Sequence, residues 1–380
     1  MLTDFYVVKS IMLGGRIIMK IMEVIPSFEP LGGAENFVFN LSLSLNRHAE
    51  VFVVSLYDRE NSYIDAELKK NGISIIYLNK KEGLDFRCSR QFDKLIASIK
   101  PDIVHLHINS YLTSLPAMIA KKSNFIYTFH TMISRDTYGG KNNPRNVLLR
   151  FLIKNRLMFP VTISDTIDQS FKSFFGEHDS QIIYNGIDIQ RYSYKKQDNK
   201  KYSFISVGSF NDIKNNLFMI KCVERLINDG FDTNYIVLGE GKNFEKCKEY
   251  CLEHNLTEKI KLLGAVNNVE EYLSESSCLL LASHWEGNPL VINEAISSGV
   301  WVVANGVGGV KDLIDDTNGY LVTPENEDDF VDKMKSFLTN EKTIKYSIIP
   351  ENIEKNRRKV DLNKTCFEYL DLMRKVSKRG

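Results

Sequence analysis

The chain of 380 residues lacks the features that define several classes of protein. Its six cysteines are scattered without a C-x-x-C pair, which predicts a reducing compartment and no disulfide framework. Lysine and arginine (49) balance aspartate and glutamate (48), and a net charge of +1 disfavours nucleic acid as a partner. No apolar run approaches the ~18 residues that a membrane-spanning helix requires. These absences leave a globular enzyme or a small-molecule-binding protein.

Two further patterns fall short of known sites. Cys247, Cys251 and His254 share one helical face, but no fourth ligand lies nearby, so buried packing is favoured over a metal site. The nearest approach to a dinucleotide fingerprint, GEGKNF from Gly239, lacks the third glycine, which disfavours an oxidoreductase. The N-terminus also lacks the apolar core of a secretory signal. One interpretation is that residues 1–18 are an over-extended start, because a strand-like run with its own Met19 follows them.

The chain does contain two series of β-branched apolar runs that alternate with helical stretches, the pattern of βαβ units in parallel sheets. The charged stretch 193–203, SYKKQDNKKYS, separates them and is the best linker candidate. This predicts an α/β protein with two Rossmann-like domains, 1–192 and 204–350, that face each other across a cleft. The tail 351–380 is expected to be helical and to pack back on the N-terminal domain. The predicted helices include Cys88–Ile99, Asn216–Asn228 and Glu327–Leu338.

The segment 284–310, HWEGNPLVINEAISSGVWVVANGVGGV, places two glutamates around the start of a helix. Pro289 is expected to be the first helical residue, and Gly299 to follow the end of the helix. Glu286 would lie in the loop at the carboxyl end of a strand, and Glu294 inside the helix. A helix N-terminus suits a phosphate, and the carboxylates can accept hydrogen bonds from hydroxyls on either side of it. The combination predicts a nucleotide-diphosphate sugar as ligand; a capping carboxylate and a surface glutamate are the alternative.

The longer stretch SHWEGNPLVINEAISSGVWVVANGVGGVKDLI resembles the signature of retaining glycosyltransferases of family 4, which have the GT-B fold. Three other segments resemble elements of that family. They are LGGAE, an early glycine loop; IYNGID, an element at the domain junction; and VGSFNDIKNN, a phosphate-binding loop. The resemblance covers most of the chain, from KIMEVIPSFEP to GYLVTP.

The resemblance implies a role for each matching residue. Glu286 would contact the sugar hydroxyls, Glu294 would hold the ribose, and Lys214 would neutralise the diphosphate. Gly32 and Gly33 would let their loop approach the donor closely. The implied catalytic residues are Glu286, His130 and Lys214. The implied donor-binding residues are Gly32, Gly33, Ser209, Lys214, Asn288, Pro289, Leu290, Val291 and Glu294.

Histidines form a second candidate group. His130 ends the run NFIYTFH, where the family usually has a histidine near the sugar, and it can donate a hydrogen bond to a hydroxyl or to the β-phosphate. A satisfied histidine at a strand end is the alternative. His105 and His107 alternate in DIVHLH, face one side of their strand, and are interpreted mainly as structural. Ser209 stands where many family members have an arginine, which leaves Lys214 as the main cation of its loop.

A basic amphipathic segment is expected over 144–158. Arg145, Arg150, Lys154 and Arg156 accompany apolar residues there, which favours a helix on an anionic membrane surface. A core-packing helix with a solvated basic edge is the alternative.

The resemblance therefore implies a retaining glycosyltransferase of bacterial surface polysaccharide biosynthesis. It would move a sugar from a nucleotide-diphosphate donor, with UDP favoured, to a glycan or lipid-linked glycan. No D-x-D triplet is present, so no metal or other cofactor is expected. The expected location is the cytoplasm, with peripheral contact at the inner face of the cell membrane. The alternatives are a nucleotide-sugar epimerase of related architecture and a non-catalytic nucleotide-sugar-binding protein.

Overall fold

A computed structural model describes residues 19–28, 32–57, 63–131, 133, 143–192, 194, 200–347 and 350–378. The interpretation of residues 1–18 and most of the linker prediction lie outside these described residues. The chain forms two compact units. The first takes the residues up to Ile163, 170–183 and those from Thr365 onward, and the second takes 164–169 and 184–364. The domain boundaries taken from the sequence stay predictions.

The first unit contains a seven-stranded parallel sheet in the order β3-β2-β1-β4-β5-β6-β7. Its strands are β1 (Lys20–Ile25), β2 (Glu50–Ser55), β3 (Ser74–Tyr77), β4 (Ile103–His107), β5 (Asn124–Phe129), β6 (Phe159–Thr162) and β7 (Gln181–Ile182). Its helices are α1 (Gly33–Leu45), α2 (Tyr63–Lys70), α3 (Phe86–Ile99), α4 (Tyr111–Ile119), α5 (Pro144–Lys154), most of α6 (Asp165–Phe175) and most of α13 (Leu362–Ser377). The strand order reverses between β1 and β4, which is where ligands bind doubly wound sheets.

The second unit contains a six-stranded parallel sheet in the order β10-β9-β8-β11-β12-β13. Its strands are β8 (Tyr202–Val207), β9 (Tyr235–Leu238), β10 (Ile260–Gly264), β11 (Ser276–Leu281), β12 (Trp301–Asn305) and β13 (Gly319–Val322). Its helices are α7 (Asn216–Asn228), α8 (Phe244–Glu253), α9 (Val269–Ser274), α10 (Leu290–Ser297), a 3-10 helix (Gly308–Asp312), α11 (Glu327–Ser347) and α12 (Pro350–Lys359). Here the order reverses between β8 and β11, so the loops after these two strands form the switch point.

The two parallel sheets confirm the predicted α/β architecture, and α7 has the predicted bounds. Three details differ. Helix α10 begins at Leu290, because Pro289 has an extended ψ of 113° and caps the helix from outside. Helix α11 continues to Ser347, nine residues beyond the predicted Leu338. Helix α3 begins at Phe86, two residues before the predicted Cys88.

Buried packing explains the cysteines on α8. Cys247 and Cys251 belong to the apolar core beneath that helix. His254 instead lies beyond the helix end, where its Nδ1 is 2.6 Å from Glu224 and its ring stacks on Tyr250. The packing interpretation is therefore the one that the structure supports.

Candidate functional site

The switch point of the second unit brings together a lysine and a glutamate that are 72 residues apart. Lys214 lies in the loop after β8, and Glu286 lies in the loop after β11. The Nζ of Lys214 donates to Oε1 of Glu286 over 2.6 Å. Glu286 is only 9% exposed, so water screens this ion pair less than a surface pair. The predicted sugar-contacting carboxylate and the predicted diphosphate-neutralising cation therefore lie in one site.

Backbone contacts hold the Glu286 loop in place. The N–H of Gly309 donates to the carbonyl of Glu286 at 3.2 Å. A Cβ atom at Gly309 would lie 1.8 Å from the carbonyl oxygen of Gly287, and one at Gly308 would lie 2.0 Å from that of Glu286. Only glycine fits at such distances. Gly308 and Gly309, the glycine pair near the end of the sequence signature, therefore hold the Glu286 loop in place through main-chain contacts.

Glycines also hold the Lys214 loop. A Cβ at Gly239 would lie 2.0 Å from the carbonyl oxygen of Gly208, and one at Gly241 would lie 2.4 Å from that of Phe210. The loops after β8 and β9 therefore pack backbone against backbone. This packing accounts for the glycines of GEGKNF without a dinucleotide. Ser209 lies in the same loop, half-buried, next to Gly208.

The start of α10 presents backbone rather than side chains. Asn288 is buried, and its Oδ1 accepts a hydrogen bond from Nδ2 of Asn293 at 3.1 Å. Leu290 and Val291 are 8% and 9% exposed, so their side chains pack inward. The first N–H groups of a helix have no acceptor within the helix, and they attract an anion. The predicted residues from Asn288 to Val291, Pro289 included, thus form a helix N-terminus that can bind a phosphate.

Glu294 belongs to a separate polar group on α10. The hydroxyl of Tyr192 donates to its carboxylate, and Arg191 and Glu270 lie close by. Arg191 is itself paired with Glu270 at 2.7 Å. Burial raises the pKa of Glu294 to about 7, although Tyr192 and Arg191 act in the opposite direction. Sequence reasoning missed Tyr192 and could not place Arg191, because neither lies in a recognisable motif.

The switch point of the first unit holds a cluster of the buried residues Glu23, His105 and His107 and the half-buried His130. Glu23 on β1 and both histidines of β4 are 0% exposed. The Oε2 atom of Glu23 is 3.0 Å from Nδ1 of His105 and 2.8 Å from Nε2 of His107. The Nδ1 atom of His107 is 2.9 Å from Nε2 of His130, which follows β5. His105 and His107 face one side of their strand, as predicted, with ring centroids 4.1 Å apart.

The cluster continues on its other side through hydroxyl groups. The Nε2 atom of His105 is 2.8 Å from Oγ1 of Thr128, and that hydroxyl is 3.0 Å from the hydroxyl of Tyr369 on α13. Sequence reasoning missed Glu23. The available signal was a single glutamate within the apolar strand KIMEVI, since a carboxylate that is buried on a central strand needs partners.

Burial and mutual contact shift the acidities within the cluster. Burial alone would raise the pKa of Glu23, but the charge of His105 and hydrogen bonds from both imidazoles lower it to about 2. Burial and the charge of His105 lower the pKa of His107 to about 4. Burial and the other two histidines also lower the pKa of His130 well below its ordinary value. At neutral pH, Glu23 is therefore ionised, whereas His107 and His130 are neutral.

Within the described part of the chain, Glu23, His105 and His107 are also the one group with the spacing of a metal site, their ligand atoms lying within 4.8 Å of one another. The nitrogen–oxygen distances of 2.8–3.1 Å between Glu23 and the two rings are lengths of hydrogen bonds. An N–H group donated to the carboxylate explains each contact. The geometry is thus that of a hydrogen-bonded cluster.

Gly32 and Gly33 lie at the start of α1, on the same edge of the first unit. The N–H of Gly32 donates to Oε2 of Glu35 at 3.1 Å, which caps the helix. Among the residues that the structure describes, no heavy atom lies within 4 Å of a Cβ built at Gly33, and Gly33 is exposed. One turn further, Phe37 packs its ring 5.8 Å from the ring of His130.

Helix α5 has two different faces. Its buried face carries Leu149, Leu152 and Ile153. Its exposed face carries Val147 and Phe151, 54% and 50% exposed. The exposed cations on or just after the helix are Arg145, Lys154 and Arg156. Arg150 differs from them, because its Nη2 donates to the carbonyl of Phe174 at 3.0 Å. Core packing and an exposed basic–apolar face therefore coexist in one helix.

Among the described residues, none of the helices combines the length and the apolar composition that crossing a membrane requires.

Two doubly wound parallel sheets, with a lysine–glutamate pair and a helix N-terminus at one switch point, define a glycosyltransferase of the GT-B class. The family models agree. Residues 31–191 match the model described as Glycosyltransferase Family 4, and residues 188–360 match the one described as Glycosyl transferases group 1. The chain therefore belongs to the family 4 type of GT-B glycosyltransferases, which confirms the resemblance.

Individual relatives agree with this assignment. The chain is 31% identical to the capsular polysaccharide biosynthesis glycosyltransferase CapH of Staphylococcus aureus, over 73% of this chain and 78% of the relative. It is 26% identical to N-acetylgalactosamine-N,N'-diacetylbacillosaminyl-diphospho-undecaprenol 4-alpha-N-acetylgalactosaminyltransferase of Campylobacter jejuni, over 89% and 96% of the two chains. The solved structure of Anabaena HepE in complex with UDP and glucose shares the fold, with a TM-score of 0.77, 17% identity and coverage of 94% and 100%.

Proposed function

We propose that the protein transfers a sugar from a UDP-sugar to a lipid-linked glycan, with retention of anomeric configuration and without a metal ion, in the synthesis of a bacterial surface polysaccharide. The observation that carries the proposal is the Lys214–Glu286 pair beside the N-terminus of α10. A cation and free N–H groups suit a diphosphate, and a carboxylate suits the hydroxyls of the attached sugar.

The roles of the residues follow from the direction of charge flow. The bond between the anomeric carbon and a phosphate oxygen breaks, and negative charge develops on the leaving diphosphate. Lys214 and the first N–H groups of α10 stabilise that charge, which is the function that a metal ion serves elsewhere. Glu286 accepts hydrogen bonds from the sugar, and Glu294 accepts them from the ribose. The acceptor oxygen forms the new bond to the anomeric carbon, and its proton passes to the leaving diphosphate.

Two similar proteins support the choice of substrates. HepE was solved with UDP and glucose, which supports a UDP-sugar as donor. The Campylobacter relative is named for an acceptor on undecaprenol diphosphate, which supports a lipid-linked glycan. The match to CapH supports a role in surface polysaccharide synthesis.

The direct test is a transfer assay with a panel of UDP-sugars and an undecaprenyl-diphosphate-linked glycan, in EDTA throughout. We expect release of UDP that depends on the acceptor, and a product with the anomeric configuration of the donor. The same assay without acceptor is the control for hydrolysis. Activity that disappears in EDTA and returns with manganese or magnesium would contradict metal independence, and an inverted product would contradict retention.

We further propose that the exposed face of α5 docks on an anionic membrane surface. Each lysine or arginine near such a surface contributes ~1 kcal/mol, so Arg145, Lys154 and Arg156 together give about 3 kcal/mol, enough for reversible binding. The protein is expected to co-sediment with vesicles rich in anionic lipid at low salt and to be released at high salt.

The variant that tests this face replaces Arg145, Lys154 and Arg156 with serine and keeps Arg150, which binds within the unit. Its matched control replaces three exposed cations elsewhere in the first unit with serine. They are Arg90 and Lys94 on α3, and Lys121 just after α4. Loss of binding in the first variant alone is expected. If the α5 variant binds vesicles as well as the control variant and the wild type do, or if the wild type does not bind, then α5 serves only the core.

A further inference from the structure

The contacts of Glu23 determine where His107 carries its proton. An ionised carboxylate can only accept hydrogen bonds, so the Nε2 atom of His107, 2.8 Å from Glu23, must donate. A neutral imidazole has one N–H group, and its other nitrogen has a lone pair. The Nδ1 atom of His107 is therefore an acceptor. Its contact over 2.9 Å with Nε2 of His130 requires that His130 be the donor.

The same logic fixes the free nitrogen of His130. Because His130 is neutral and its N–H group lies on Nε2, its Nδ1 has a lone pair. That Nδ1 atom is buried and has no hydrogen-bond partner among the residues that the structure describes. Buried polar atoms without partners are rare in folded proteins, and a bound ligand is one group that can supply the missing hydrogen bond.

We propose that Glu23 and His107 fix the tautomer of His130 so that its Nδ1 atom accepts a hydrogen bond from a hydroxyl group of a sugar substrate. That the hydroxyl belongs to a sugar rests on the proposed function. A lone pair attracts a hydroxyl hydrogen and repels a phosphate oxygen, so His130 cannot serve as the donor to the β-phosphate that the sequence allowed. Glu23 and His107 act through His130 and are positioning residues.

A single substitution should reverse the direction of the hydrogen bonds that run from residue 23 through His107 to His130. In Glu23→Gln the amide can place its oxygen at the Oε1 position, where it accepts from His105 at 3.1 Å, and its NH₂ group at the Oε2 position. The NH₂ group then donates to Nε2 of His107, which forces the proton of His107 onto Nδ1. His107 would donate to His130, and the free nitrogen of His130 would become an N–H donor.

The test is nuclear magnetic resonance of the protein labelled with ¹⁵N-histidine, in which the nitrogen shifts report the tautomer of each ring. In the wild type we expect Nδ1 of both His107 and His130 to be unprotonated. A protonated Nδ1 on His130 would overturn the proposal, whatever the variants do. So would a spectrum that EDTA changes at His105 and His107, because those residues would then hold a metal ion. The measurement needs no substrate, so its result is independent of the proposed reaction.

The variants then connect the tautomer with binding. Glu23→Gln is expected to move both protons to Nδ1, whereas Tyr369→Phe, which removes a hydroxyl from the His105 side only, should leave the His130 tautomer unchanged. A lost hydrogen bond to a substrate hydroxyl should weaken binding by about ten- to a hundred-fold. A rise in donor Kd in Glu23→Gln would assign the hydroxyl to the donor sugar, and a rise in acceptor KM alone would assign it to the acceptor. An inverted tautomer with neither change would overturn the role in binding.

Discussion

Replacement of Lys214 by methionine is expected to lower kcat by about a hundred- to a thousand-fold, with a smaller change in KM for the donor. Methionine keeps the apolar part of the side chain and removes only the charge. That part packs beside Gly208, because the Cε atom of Lys214 is 3.6 Å from where a Cβ atom at Gly208 would lie. The charge matters most in the transition state, when the diphosphate leaves. The measurement is steady-state kinetics with the donor that the transfer assay identifies.

A second explanation of such a loss is that Lys214 merely holds Glu286. The double variant Lys214→Met/Glu286→Gln separates the two roles. If the lysine acts only through Glu286, the double variant will be no slower than Glu286→Gln alone. Lys242 offers a matched control, because it is paired with Asp212 in the neighbouring loops but is 65% exposed. Lys242→Met should stay within about two-fold of the wild type. A wild-type kcat in Lys214→Met would exclude the lysine from the reaction.

Substitutions of Glu286 and Glu294 are expected to affect different steps, turnover for Glu286 and donor binding for Glu294. Glu286→Gln should lower kcat, because hydrogen bonds to the reacting sugar strengthen as charge develops. Glu294→Gln should raise the Kd of the donor about ten-fold with a smaller effect on kcat, because ribose contacts are equal in the ground and transition states. The measurements are isothermal titration of the donor and turnover at saturation. Equal and small changes in both variants would place neither carboxylate in the site.

Glu294 also predicts how donor binding depends on pH. Its pKa is raised to about 7, so the acid form accumulates below that pH. The ionised form is the better acceptor for ribose hydroxyls, and donor affinity should therefore rise as pH increases towards 7 and level off above it, by up to about ten-fold per pH unit. Glu294→Gln cannot titrate and should show a flat profile over the same range. A wild-type profile as flat as that of the variant would contradict the ribose contact.

The sheets and several helix ends were predictable because their signals are local. The apolar runs mark the strands, and the periodicity of Asn216–Asn228 gave both ends of α7. Gly299, with a φ of +70°, follows the end of α10 as expected. The end of α11 was missed because charged residues continue the helix beyond its last strongly apolar stretch. Pro289 was misplaced by one position because its fixed φ suits a helix cap as well as a first turn.

The site was predictable only where a family motif spans it. Lys214 and Glu286 are far apart in sequence, and the resemblance placed them in one site before the fold was known. No motif includes Glu23, whose partners His105 and His107 are 82 and 84 residues away. Arg191 and Tyr192 approach Glu294 through a loop that has no pattern of its own. Pairings of this kind depend on strand order, which local sequence does not encode.

The glycines that support the Lys214 and Glu286 loops also determine how the enzyme can be engineered. Each loop rests on another segment through main-chain atoms, so a side chain at a contact point would displace Lys214 or Glu286 rather than reshape the space around them. A directed-evolution library for a new sugar should keep these positions constant: Gly239, Gly241, Gly308 and Gly309. Diversity belongs at positions such as Ser209, whose half-buried side chain lies in the same loop as Lys214.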